Sequence, residues 1–291
     1  MQANTEWYRP HLAAINSLTK YPSIPTYHTL DPRDGRLHEE RVEFPADQPV
    51  VITEKVDGTN VRLILLRSGM WFIASREDLL AARGDLVHNT TQGIVDAVRP
   101  LADRLADEGD PEYHIGSDRS VFSDDAAAAC VLYLELYGGS GSRVIGRNAR
   151  QYTGAGAVGY RLFDVLALTG RDLHDGLTRS AEEISAWRKR GSQTFLSELP
   201  LALVARGWEV PLVPRLATLA GGKLPESVDE THRWLEEHAR TGVALDDGAA
   251  GRAEGVVLRT VDRGVIAKVR LESYERTRRL RQTQHAARSS L

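Results

Sequence analysis

The chain has 291 residues, 42% of them hydrophobic and 26% charged, with a formal net charge of -3 at pH 7. That length can bury a large core in one domain or two, while a charge so near zero carries no global signature of nucleic-acid binding and leaves only a local patch for it. A single cysteine, Cys130, excludes an internal disulfide. No Cys-x-x-Cys pair or histidine cluster has zinc spacing, Met1 is not followed by the basic-then-apolar order of a secretory signal, and no apolar run approaches a membrane span, which together read as a cytoplasmic protein.

Residues 1–48 are rich in proline, tyrosine and charge, and Lys20-Tyr21-Pro22-Ser23-Ile24-Pro25 reads as an extended lead-in, because a residue before proline is held out of the helical region. Val50-Val51-Ile52-Thr53 is β-branched and apolar, and Val61, Leu63 and Leu65 alternate with Arg62, Ile64 and Leu66; both stretches predict strands. Between them Glu54-Lys55-Val56-Asp57-Gly58-Thr59-Asn60 is a polar loop with Asp57-Gly58 as its turn. Lys55 is either a solvated hairpin lysine or a nucleophile. The second use requires a neutral amine, obtained by burial or by nearby cations.

Ser75-Arg76 closes the next apolar run, and Ile94, Val95, Val98, Leu101 and Leu105 at helical spacing predict a helix over 91–105. Leu132-Tyr133-Leu134-Glu135-Leu136-Tyr137-Gly138 is a strand carrying an acid, and Tyr160-Arg161-Leu162-Phe163-Asp164-Val165 is another. Gly154-Ala155-Gly156-Ala157-Val158-Gly159 fits the dinucleotide-binding spacing but follows a polar stretch and opens a strand, so it reads as a flexible loop. Residues 171–250 turn helical, over 181–190, 196–205 and 228–239, with Pro211 and Pro214 interrupting. Glu254-Gly255-Val256-Val257-Leu258 then precedes Ile266-Ala267-Lys268-Val269-Arg270. Unpaired carboxylates are costly to bury, so Glu135 and Glu254 either face a cleft or belong to buried ion pairs. Residues 272–291 form a basic helix; Arg276, Arg278, Arg279, Arg281 and Arg288 either neutralise phosphates or are the solvated side of a helix covering a sheet.

The ordered set formed by these segments resembles the collinear motifs of the covalent nucleotidyltransferase superfamily, which contains ATP-dependent DNA ligases, RNA ligases and mRNA capping enzymes. It is most similar to RNA ligases of the phage nick-sealing type. Lys55, Asp57, Gly58 and Asn60 match the first motif, Lys-x-Asp-Gly-x-Asn, and the asparagine leans toward RNA ligases. The later motifs are matched through Glu135 in LELYGG, Phe163 in YRLFDV, Glu254 in EGVVLR and Lys268 in AKVR. At the last, the usual Lys-x-Lys is Lys268-Val269-Arg270. The resemblance runs from about residue 50 to residue 271 and implies an α+β nucleotidyltransferase (adenylyltransferase) fold over 1–291 as one domain. Antiparallel or mixed sheets flanked by helices would surround a central ATP cleft. The short stretch after Arg270 leaves no room for an OB-fold domain, which argues against a DNA ligase or capping enzyme and leaves a nucleic-acid clamp absent or supplied by a partner protein.

The same resemblance implies an ATP-dependent RNA ligase using Mg²⁺ or Mn²⁺. Lys55 would attack the α-phosphate of ATP to form lysyl-AMP, pass AMP to a 5′-phosphate end, and release it when a 3′-hydroxyl attacks. Lys268 and Arg270 would contact the α-phosphate, favour the neutral amine by like-charge repulsion and hold transition-state charge. Glu54 would read the adenine amino group and Phe163 would stack on the ring, although an aromatic residue in an apolar strand is by itself a core residue. Asn60 would orient phosphate or nucleic-acid ends, Arg76 the ribose or the 5′-phosphate, and Glu135 and Glu254 the ribose hydroxyls or the metal. The alternative is a nucleotide-binding or self-adenylylating relative that joins no ends, or a minimal DNA ligase.

Overall fold

A computed structural model describes residues 5–88, 93–108, 128–140, 145 and 148–289. The expected helix start at Thr91 and the side chain of Arg288 lie outside the described residues. In chain order the elements are α1 (Thr5–Tyr8), α2 (Leu12–Leu18), β1 (His28–Leu30), β2 (Leu37–Arg41), β3 (Pro49–Lys55), β4 (Thr59–Leu66), β5 (Trp71–Ser75), β6 (Leu79–Ala82), α3 (Ile94–Glu108) and β7 (Ala129–Gly138). There follow β8 (Val158–Leu168), α4 (Gly170–Thr178), α5 (Ala181–Lys189), β9 (Thr194–Phe195), α6 (Glu198–Gly207), β10 (Arg215–Ala220), α7 (Val228–Glu237), β11 (Gly255–Thr260), β12 (Ile266–Arg270) and α8 (Leu271–Ser289). The architecture is α+β, and every strand-to-strand ladder among the described residues is antiparallel.

The chain divides into two compact units. The first comprises Met1–Pro22, Gly58–Ala149 and Ala155–Leu212, and the second Ser23–Asp57, Arg150–Gly154 and Val213–Leu291. The first holds a six-stranded sheet in the order β6-β5-β4-β7-β8-β9. Successive strand residues point to opposite faces, so Val61, Leu63 and Leu65 join Leu132, Leu134 and Leu136 in a core with α3 and α6. Ile64 and Leu66 join Phe72, Val131 and Tyr133 in a second core with α2 and α5. Apolar cover on both faces is why β4 and β7 read as almost continuous hydrophobic runs. Arg62 is the exception, fully buried in β4. Its guanidinium donates to Ser75 O, Asn16 O, Asn16 Oδ1 and Thr19 Oγ1, and burial lowers its pKa to about 10.

The second unit holds a four-stranded sheet, β10-β3-β11-β12, and the β1-β2 pair. Val50, Ile52, Val256, Leu258, Ala267 and Val269 form its core with residues of α7 and α8. Capping boxes start three of the helices: Thr169 with Asp172, Ser180 with Glu183, and Ser227 with Glu230.

Two stretches differ from their sequence reading. Residues 1–48 contain α1, α2 and the β1-β2 pair, because Ile15 and Leu18 lie three apart and bury one helical face. The extended part ends against β12, where Pro25 O accepts the Lys268 N–H and the Tyr27 N–H donates to Lys268 O. Residues 171–250 hold four helices but also β9 and β10, and β10 pairs with β3. The glycine loop at 154–159 leads into β8 and no helix follows it. Its first glycine is pinned by its N–H to Asp246 Oδ1 at 2.8 Å.

Candidate active site

In the second unit β11 runs between β3 and β12, and its first residue, Gly255, lies opposite Lys55 on one side and Arg270 on the other. Val257 is likewise opposite Thr53 and Lys268. Opposed residues of an antiparallel pair share a face, as do alternate residues along a strand. Lys55, Lys268 and Arg270 therefore stand on one face, with no side chain between Lys55 and Arg270. Gly255 has φ 153°, and a Cβ there would come within 2.0 Å of Val269 O, so β12 approaches too closely for anything but glycine.

The residue before it, Glu254, serves both cations. Its Oε2 is 2.5 Å from Lys55 Nζ and its Oε1 is 2.9 Å from Arg270 Nε; the Lys55 and Glu254 side chains are each 19% exposed. The Glu254 backbone is clamped as well, its N–H donating to Lys55 O and its carbonyl accepting from the Leu271 N–H. Glu54 stands opposite Val256 and so faces the other way from Lys55. It is buried, and its carboxylate accepts from the Thr241 hydroxyl and from the Gly242 N–H at 2.8 Å. Tyr152 is fully buried, and its hydroxyl oxygen accepts the Asp57 N–H at 2.6 Å, fixing the backbone two residues past Lys55. Burial raises the Tyr152 pKa, which keeps the phenol neutral.

Asn60, Arg76, Glu135 and Phe163 lie in the first unit. Gly58 is required there because a Cβ would come within 2.2 Å of Leu136 O; its N–H donates to Glu135 Oε1 at 3.0 Å. Asn60 lies opposite Glu135, and Glu135 opposite Arg161. Arg76 follows Ser75, the partner of Val61, just beyond the end of β5. In β8 the partner of Leu134 is Leu162 and that of Tyr133 is Asp164, which makes Phe163 the extra residue of a β-bulge. A bulge re-aims side chains, and here Phe163 turns toward the face that carries Tyr133. Half-buried, it packs edge-on against Tyr21, with centroids 5.2 Å apart, and tilted against Tyr133 at 6.2 Å. Arg76 is exposed, 3.7 Å from Glu77. The Asn60 Oδ1 and Arg161 Nε atoms are buried without a hydrogen-bond partner.

Arg161, Tyr152 and Thr241 were missed by sequence reasoning. For Arg161 the signal was present, a charge inside a strand two residues before Phe163. Tyr152 and Thr241 lie outside the regular elements and carried none.

Among the described residues no three histidine, cysteine, aspartate or glutamate side chains gather as a metal site. Mg²⁺ held by one or two carboxylates and substrate phosphates needs no such cluster, and the oxygen donors of Glu135 and Glu254 suit a hard cation. On α8, Arg276 pairs with Glu272 at 2.9 Å, and Arg281 pairs with Glu39 at 2.8 Å and Asp229 at 3.4 Å. Arg278 and Arg279 instead line an open groove with His232, Glu236, Arg252, Glu275 and Gln282. The opposite side of α8 buries Leu271, Tyr274 and Thr277. Among the described residues no helix is long and apolar enough to cross a membrane.

A lysine sharing one carboxylate with an arginine, on the two strands that flank β11 in an α+β chain, fits the nucleotidyltransferase class. The RNA ligase family model matches residues 48–270, and the chain belongs to that family. No curated protein matches the sequence. Among solved structures, an RNA ligase from Naegleria gruberi with ATP and Mn is 14% identical, with a TM-score of 0.46 over 88% of this chain and 64% of its own. An archaeal ATP-dependent RNA ligase is 16% identical, with a TM-score of 0.47 over 88% of this chain and 49% of its own. The chain thus spans about half to two-thirds of the length of these structures.

Proposed function

We propose that this chain is an ATP-dependent RNA ligase that joins 5′-phosphate to 3′-hydroxyl ends through lysyl-AMP on Lys55. The carrying observation is the Lys55–Glu254–Arg270 bridge at the ends of three adjacent strands, in a member of the RNA ligase family whose lysine sits in Lys-x-Asp-Gly-x-Asn. Lys55 Nζ must shed a proton to attack the α-phosphorus, and Glu254 Oε2, already within hydrogen-bond reach, is the acceptor. The N–P bond forms as the bond to pyrophosphate breaks. Arg270 and Lys268, on the same sheet face as Lys55, neutralise the charge that builds on the phosphate. A divalent cation, Mg²⁺ or Mn²⁺, supplies further charge neutralisation at the phosphates when bound.

Phe163, turned by the bulge, stacks on the adenine; Glu135 takes the ribose hydroxyls, and Asn60 and Arg76 take the phosphate of the end being joined. Glu54, its carboxylate held by Thr241 and Gly242, reads the adenine amino group. Arg278 and Arg279 bind RNA phosphates in the α8 groove, while Arg276 and Arg281 hold that helix through their carboxylate partners. The enzyme would act in the cytoplasm.

Radiolabelled ATP with Mg²⁺ should leave covalent label on the protein, and none on Lys55→Ala. Label persisting in that variant rules out Lys55 as the nucleophile. A nicked RNA duplex, single-stranded RNA and nicked DNA then identify the substrate. Self-labelling without sealing of any of the three supports a nucleotide-binding relative, a reading favoured by Arg270 standing in place of the second lysine.

A further inference from the structure

The geometry points to Arg161 as a phosphate-binding residue on the sheet of the first unit, an assignment that rests on the ligase reading and extends it to a residue to which the motif match gave no role. Arg161 lies directly opposite Glu135 across β7 and β8, where Cβ atoms are about 4.5–5.5 Å apart and opposite charges ordinarily pair. Here they do not. The Arg161 side chain makes no ion pair or hydrogen bond among the described residues, and its Nε is buried without an acceptor. Arg62, in the neighbouring row of the same sheet, has its guanidinium satisfied by two backbone carbonyls, an amide oxygen and a hydroxyl. A buried donor left without an acceptor is costly, so the Arg161 site suits an acceptor brought by a ligand.

The surroundings indicate which acceptor. Arg161 closes one end of the row Asn60, Glu135, Arg161, on the face to which the bulge turns Phe163. With Glu135 not occupying it, the fork of Arg161 matches the geminal oxygens of a phosphate. That phosphate belongs either to the bound nucleotide or to the RNA strand.

The test uses the full chain as wild type, Arg161→Gln and Arg161→Lys, with melting curves for each. Affinity is measured calorimetrically for α,β-methylene-ATP and by fluorescence anisotropy for a short 5′-phosphorylated single-stranded RNA over a range of salt. Arg161→Gln should lose about tenfold or more in affinity for one of the two, with an unchanged melting temperature, and Arg161→Lys should recover part of the loss. Loss confined to the nucleotide assigns the ATP phosphates. Loss confined to RNA, with a salt slope smaller by about 0.7, assigns the strand. Wild-type affinity of Arg161→Gln for both ligands overturns the proposal, as does an equal loss for both that tracks a lowered melting temperature in both variants. These are binding measurements, so a wild type that binds both ligands but never labels itself would defeat the ligase reading and leave this assignment standing.

Discussion

At the scale of single residues the chemistry concentrates on one carboxylate. Glu254 holds Lys55 on one oxygen and Arg270 on the other, so in the proposed mechanism it both positions the amine and takes its proton. Glu254→Gln keeps the shape and removes the charge. We expect self-labelling to fall by about a hundredfold or more, the range of a positioned acid–base group, with stability changed by roughly 1 kcal/mol or less because the pair is partly exposed. Near-normal labelling rates in a well-folded Glu254→Gln protein would remove Glu254 from the proton path. Gly255→Ala acts differently: its Cβ would meet Val269 O within 2.0 Å at a φ open to glycine. It should cost roughly 2–4 kcal/mol through strain and overpacking, read as a lower denaturant midpoint. The lysine was legible because its motif is local. Its partner lies 199 residues away along the chain, so motif order could nominate Glu254 but could not join the two.

At the scale of elements, the bulge in β8 decides what Phe163 can do. In an unbroken strand Phe163 would alternate with Leu162 and Asp164; the extra residue lets Leu162 and Val165 both enter one core while Phe163 faces the other side. Phe163→Ala should raise the KM for ATP in self-labelling. Since the ring is only half-buried, the loss of stability should stay below about 3 kcal/mol, short of a full core truncation. A variant with unchanged KM and a large stability loss would identify Phe163 as core alone. Helix spacing was readable in the sequence: the stretches 181–190 and 228–239 appear as Ala181–Lys189 and Val228–Glu237. β9 and β10 were not, because a short edge strand is defined by the strand it pairs with.

At the scale of the whole molecule, stability should depend on pH through His28. It is fully buried, its Nε2 2.9 Å from Glu226 O and its Nδ1 2.7 Å from the Tyr274 hydroxyl. Desolvation lowers its pKa from the ordinary 6.5. Above that value both folded and unfolded forms are neutral and the contribution is complete. As pH falls below it, the unfolded chain takes up a proton that the folded one refuses, so stability is lost. The melting temperature should decline between about pH 7 and pH 5, and His28→Gln should flatten that decline; an equally steep slope in the variant would assign the acid sensitivity elsewhere. Net charge acts at the same scale. With -3 overall, the proposed RNA affinity must come from local arginines, so Arg278→Gln with Arg279→Gln should weaken RNA binding and reduce the slope of its salt dependence by about 0.7 for each phosphate no longer neutralised.

The sequence alone was sufficient for whatever is written in short, contiguous chemistry: the nucleophile candidate, the order of the motifs, the apolar periodicities and the family they resemble. Such signals survive without coordinates because turns, strand alternation and helix spacing depend on neighbours a few residues apart. Tertiary structure alone decided which charges meet. The Glu254 bridge, the row from Asn60 to Arg161, the inward turn of Glu54 toward Thr241 and the pairing of Arg276 and Arg281 with carboxylates all depend on strand register and helix docking. Register is set by which faces bury their side chains across the sheet, a condition that no single segment of the chain contains.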